Sequence, residues 1–95
     1  MAAELDPVIH APARLALMTM LNAVTEAEFA TLRDHLDVSD SVLSKHVSAL
    51  AEAGYVKTKK GTHDGRRTTW IALTRAGRKA LGRHVAALRV LIDRV

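Results

Sequence analysis

Ninety-five residues, 48% apolar and 25% charged, describe one small domain of ordinary globular composition. The absence of cysteine excludes disulfides and thiolate metal sites, and no apolar run nears the roughly 20 residues that cross a membrane. The net charge of +4 conceals a split, because residues 1–44 sum to −5 and residues 45–95 to +9. Such asymmetry is the electrostatic footprint expected of a nucleic-acid-binding face, two solvated surfaces of opposite sign being the plainer alternative. The first ten residues lack the basic and apolar regions of a signal peptide, so the expected location is cytoplasmic.

In chain order, Asp6-Pro7 opens a short helix, with Asp as N-cap and Pro at the first helical position. Pro12 breaks it or starts another, since a mid-helix proline loses a hydrogen bond and clashes. From Ala13, the pattern Leu15, Met18, Leu21, with Leu17 and Val24 beside it, marks a buried helix, so residues 5–24 hold the N-terminal helices. Thr25 and Glu28 form a capping-box pattern from which a further helix would begin. Phe29, Leu32 and Leu36 then fall on one apolar helical face, and Asp37-Val38-Ser39-Asp40 interrupts it.

Ser39 is placed to cap a second helix whose positive end suits Asp40 and Ser41. Leu43, Val47, Leu50 and Ala51 form its buried face, and Gly54 stands where a C-terminal cap glycine belongs. The opposite face carries Ser41, Lys45, Ser48 and Glu52, flanked by Val42, Ser44 and Ala49. A solvated face usually carries longer charged residues in i,i+4 pairs, whereas entry into the DNA major groove needs short side chains, donors and a methyl or two. Residues 29–53 therefore read as a helix-turn-helix with the second helix as reader. Ser41, Val42 and Lys45 are expected at base edges, Val42 on a thymine methyl, with Ser39 and Ser44 on phosphates.

After Gly54 the period falls from 3.6 to about 2. Two β-rich runs, 55–60 and 67–73, flank Gly61-Thr62-His63-Asp64-Gly65, so residues 55–73 form a hairpin. Five basic residues stand against one Asp between Lys57 and Thr68. Lys59, Lys60, Arg66 and Arg67 are expected to hold phosphates or enter a narrow minor groove, although lysines also protect edge strands. Trp70 is expected on the hairpin's outer face near Tyr55, partly buried; three aromatics in the whole chain are too few for a base-stacking platform. Thr74 caps the last helix, spanning 74–94, in which Leu81, Val85, Leu88, Ile92 and Val95 step 4-3-4-3 as an a/d seam. That seam serves either the chain's own first helix or, as its length favours, a second copy across a two-fold axis.

The run DVSDSVLSKHVSALAEAGYV, the basic loop after it and TTWIALTRAGRKAL resemble winged helix-turn-helix transcriptional regulators of the MarR/ArsR type, in particular their short single-domain branch. LDPVIHAPARLALM extends the likeness upstream, so it covers nearly the whole chain. The resemblance implies a mainly α fold with a small β-hairpin wing, a short strand around Glu26 to Glu28 pairing with the wing, and a first helix that contributes to dimer contact. It also implies that His46 lies beside the DNA face, on phosphate. The expected function is that of a homodimeric, sequence-specific regulator of double-stranded DNA, reading a pseudo-palindrome whose half-sites lie about one turn apart.

Other chemistries find little support. The five histidines, His10, His35, His46, His63 and His84, show no paired ligand spacing, so neither metal nor other cofactor is expected. No nucleophile elbow, phosphate-cradling loop, metalloprotease motif or apolar carboxylate pair is present, which argues against an enzyme. The competing reading is a winged helix for protein–protein or RNA binding. A protein-docking version would carry large apolar residues at 41, 44, 45 and 48 and would lack the hairpin's charge.

Overall fold

The structure, a computed structural model, describes residues 4–94. Its elements run α1 (Pro12–Asn22), β1 (Ala27–Glu28), α2 (Phe29–Leu36), α3 (Asp40–Glu52), β2 (Val56–His63), β3 (Arg66–Leu73) and α4 (Arg75–Asp93). The three strands form an antiparallel sheet in the order β1-β3-β2. Helices and sheet meet over one core that includes Ile9, Leu17, Met18, Leu21, Leu32, Leu43, Leu50 and Ile71. The expected fold, mainly α with a β-hairpin wing, is the fold observed.

Local chemistry sets the boundaries, and in several places it departs from expectation. Asp6 caps one turn and no helix: its carboxylate accepts from the Val8 amide at 2.9 Å and its carbonyl from the Ile9 and His10 amides. The chain then restarts at Pro12, the first residue of α1. Leu17, Met18 and Leu21 are buried as expected, but Val24 lies past the end of the helix and is 44% exposed. The capping box at Thr25 and Glu28 is not made. Glu28 pairs through its backbone with Trp70, and its carboxylate accepts from the Thr68 hydroxyl at 3.0 Å. It thereby belongs to the short strand that the resemblance implied.

Two helix ends use left-handed residues. Asp37, at φ 54, closes α2, with the Val38 amide donating to the Arg33 carbonyl. Gly54, at φ 81, closes α3, with its own amide on the Ala51 carbonyl and the Tyr55 amide on the Leu50 carbonyl. This is a Schellman motif, in which only glycine avoids a Cβ penalty. Ala51 faces solvent, so the buried face of α3 is Leu43, Val47 and Leu50 alone.

The hairpin turn is tighter than the glycine-rich stretch implied. Gly61, Thr62 and His63 continue β2, and only Asp64 and Gly65 make the loop, both at positive φ. Two such residues suit the primed turns that match strand twist. Trp70 is half-buried on the outer face as expected, but its neighbours are Gly61 and His63, not Tyr55. A Cβ on Gly61 would come 3.0 Å from the indole, so Gly61 makes room for that ring. Tyr55 sits at the hairpin's base, where its hydroxyl donates to Asp6.

The last helix divides along its length. Gly77, Ala80, Leu81, His84 and Ala87 are buried against the chain's own core, whereas Val90, Leu91 and Ile92 are 40%, 46% and 68% exposed. The seam expected over Leu81, Val85, Leu88, Ile92 and Val95 therefore passes, over its described members, from the chain's own core out into solvent. Leu81 is internal, Val85 and Leu88 are half-buried, Ile92 is exposed, and Val95 lies outside the described residues. Leu81 and Ile92 still share one side of the helix, since the stretch between them makes about three turns. The split arises because α4 runs past the chain's own core, its buried residues ending at Ala87.

Candidate nucleic-acid interface

The reading helix begins at Ser39, whose hydroxyl accepts from the Val42 amide at 3.2 Å. The same oxygen lies 3.2 Å from that of Ser41, so the cap and the first reading residue share a hydrogen bond. Ser39→Ala is expected to destabilise the domain by about 1 kcal/mol, the usual effect of losing a cap, as a lowered midpoint in urea. An unchanged midpoint would show that water replaces the cap without loss.

With Leu43, Val47 and Leu50 turned inward, Ser41, Val42, Ser44, Lys45 and Ser48 are all exposed. Asp40, an acid at the edge of this face, is held by Arg33 of α2, whose guanidinium donates to it at 3.0 Å and to Asp34 at 3.0 Å. The hydrogen bonds that Arg33 donates, to Asp34 first and to Asp40 second, raise its pKa further above its already high value. Arg33 thus clamps the two helices together and offsets the acid nearest the reading residues. Nothing in the apolar periodicity marked this pair, because its partners lie seven residues apart across a turn.

His46 is tied to α1 on one side of its ring. It is half-buried toward α1, and its Nδ1 accepts from the Arg14 Nε–H at 3.1 Å. Burial first, and the Arg14 charge second, lower its pKa below the usual 6.5. With Nδ1 engaged by Arg14, Nε2 is the ring nitrogen left to donate to the expected phosphate.

Strand alternation divides the basic residues of the wing between two faces. Val56, Ile71 and Leu73 enter the core, and on that inner side, farther out, lie Lys60 and Arg67. The Lys60 ammonium donates to Thr69 across the ladder at 3.1 Å. The outer face carries Lys57, Lys59, Arg66 and Trp70. There Lys59 meets Glu26 at 3.6 Å, and His63 lies 3.4 Å from Glu28 and 3.3 Å from Asp64. Among the described residues, Lys45, Lys60, Arg66 and Arg67 enter no ion pair.

The junction between reader and wing is built from backbone. The Thr74 hydroxyl donates to the Gly54 carbonyl at 2.6 Å and accepts from the Gly77 amide at 2.9 Å, and the Thr74 amide donates to the Tyr55 carbonyl at 3.0 Å. The expected cap of α4 thereby also fastens the end of α3. Among the described residues there is no group of histidines and carboxylates able to hold a metal ion, and no helix is long and apolar enough to cross a membrane.

Comparison with known proteins places this geometry. Residues 13–92 match the winged helix DNA-binding domain family. An uncharacterised protein of Methanocaldococcus jannaschii is 31% identical over 78 residues, covering 82% of this chain and 85% of that one. The structure of a transcriptional regulator homologue from Pyrococcus horikoshii superposes with a TM-score of 0.84 at 30% identity, over 90% of this chain and 85% of that one. A MarR family transcriptional regulator from Silicibacter pomeroyi shares the fold at a TM-score of 0.71 and 24% identity, over 92% of this chain and 57% of that one. The chain belongs to the winged helix DNA-binding domain family, and its structural neighbours include a transcriptional regulator homologue and a MarR family transcriptional regulator.

Proposed function

We propose that this protein is a sequence-specific transcriptional regulator that binds double-stranded DNA as a homodimer. The observation that carries the reading is the outward face of α3, where Ser41, Val42 and Lys45 stand exposed on a rigid, capped helix beside a wing with free arginines. Ser41 and Lys45 supply donors for base edges, and Val42, 40% exposed, supplies methyls for a thymine. Ser39 and Ser44 serve phosphates at the helix, while Lys60, Arg66 and Arg67 serve the backbone or minor groove at the wing. Lys59 joins them only by leaving Glu26. His46 keeps Arg14 in place and so supports the reader from behind. Two readers related by a dyad enter major grooves about one turn apart on a pseudo-palindrome.

The test is fluorescence-anisotropy titration against a genomic fragment library at several salt concentrations, followed by variants on the selected site. Lys45→Ala is expected to lower affinity for that site by roughly 1–3 kcal/mol more than for random DNA. Equal losses on both would make Lys45 a phosphate ligand and refute the assigned groove face. The Arg66→Ala, Arg67→Ala pair is expected to weaken all sequences alike and to flatten the salt dependence by about one unit of slope per lost phosphate contact. An unchanged slope would remove the wing from the DNA contact.

A further inference from the structure

The segment between Asp6 and Arg14 is fastened at both ends by an imidazole acting as acceptor. At one end the Asp6 amide donates to Nδ1 of His84, on α4, at 2.9 Å. At the other the Arg14 guanidinium donates to Nδ1 of His46, on α3, at 3.1 Å, and also to the Val8 carbonyl at 3.3 Å. Between the two clasps Ile9 is fully buried, and Asp6 accepts the Tyr55 hydroxyl. We propose that this segment is an acid-loosened strap, which holds α1, the reading helix and α4 together only while both imidazoles are neutral.

The chemistry follows from the inventory of the ring. A neutral histidine has one acceptor nitrogen, and an imidazolium has none. Protonating His84 therefore sets an N–H against the Asp6 N–H, and protonating His46 sets one against the Arg14 guanidinium. His84 is buried completely, and its Nε2 has no hydrogen-bond partner among the described residues, so a charge there would gain no compensating acceptor. The groups facing it are His10, whose ring meets it edge to face at 5.7 Å, the Asp6 carboxylate, Glu4, which lines the same cavity, Tyr55, and Arg83 beside it on α4. Burial first and His10 second outweigh Asp6 and keep its pKa below 6.5. His46 faces Arg14 of α1, with Lys45 its neighbour on α3; Arg33 of α2 is committed to Asp34 and Asp40, and Lys59 of β2 to Glu26.

The sign is fixed by these depressed values. The opened strap takes up protons at the ordinary 6.5 and the closed one only at lower pH. The strap is thus fully held above about pH 6.5 and is loosened as the pH falls below it. One pH unit below that value, each histidine favours opening by at most roughly tenfold, according to how far its pKa is lowered.

Amide hydrogen exchange on the full chain tests this, with each rate taken relative to an unstructured peptide at the same pH. Between about pH 7.5 and about pH 5.5, protection at Asp6 and His10 is expected to fall, by at most roughly tenfold for each histidine, while protection in β3 is kept. His46→Asn and His84→Asn replace each Nδ1 with an amide oxygen that accepts at any pH, and the double variant is expected to hold its protection at both values. Wild-type protection that does not change would overturn the proposal, as would a double variant that loosens as much as the wild type. If the variant does not fold, the wild-type imidazole resonances decide. Titration of both rings without movement of the Asp6 amide refutes the strap, and titration together with that amide supports it. None of these readouts involves DNA, so they stand apart from the DNA-binding proposal.

Discussion

Gly77→Ala is expected to lower the stability of the domain by about 2–4 kcal/mol, although alanine is the better helix former. The reason is a backbone-to-backbone contact. A Cβ at Gly77 would strike the carbonyl of Tyr55, coming 2.8 Å from its carbon and 3.0 Å from its Cα. Those atoms cannot swing aside as a side chain would, because the Tyr55 carbonyl accepts from Thr74 and its amide closes the cap of α3. The variant should melt roughly 10–20 °C below the parent. Gly82, five residues on in the same helix, is the control, since a Cβ there meets nothing within 4 Å. Gly82→Ala should stabilise the domain by up to about 1 kcal/mol. A Gly77→Ala protein as stable as the parent would mean that α4 can move away from Tyr55 freely.

Replacing both Leu91 and Ile92 with aspartate is expected to convert the protein to a monomer without unfolding it. Together with Val90 they form an exposed apolar stretch at the end of α4, beyond the part buried against the chain's own core. In the proposed homodimer this stretch meets its symmetry mate, and each buried carboxylate there would be unpaired, at several kcal/mol. The two-fold axis doubles the effect. Affinity for the selected DNA should fall by roughly 100-fold or more, because one half-site binds weakly alone. Sedimentation should show a monomer while circular dichroism keeps its helical signal. Leu81→Asp gives the contrasting result: only 5% exposed within its own chain, it should unfold the domain. A double-aspartate variant that still sediments as a dimer would move the contact to the segment around Leu5 to Leu21.

The helix-turn-helix was legible because apolar spacing, a serine cap and a cap glycine each act over a few residues. Leu43, Val47 and Leu50 point inward for that reason, and Ser41 and Lys45 outward. Non-local contacts decided what the sequence left open. Thr25 and Glu28 satisfy a capping pattern, yet the ladder to Trp70 and the Thr68 hydroxyl takes Glu28 into the sheet. The heptad in α4 is real as a spacing and keeps to one side of the helix, but only its first half has the rest of the chain to pack against. His46 and His84 were indistinguishable from other histidines, because their partners, Arg14 and Asp6, stand 32 and 78 residues away. The glycine-rich tip suggested a wide loop, where Gly61 instead accommodates an indole.

The cap at Gly54 leaves Tyr55 as the only residue between the end of α3's closing turn and the first residue of β2. The molecule is in effect a calliper whose two jaws share one unsprung joint. Because side chains alternate along a strand, inserting one residue at that joint would carry Lys60 to the side now held by Lys59 and would turn Val56 out of the core. The span between the two points that the calliper touches is thus set by the fold and not by the ligand. Diversity among such proteins should then arise by changing the tips, Ser41 to Lys45 and Lys60 to Arg67, while the joint keeps its length.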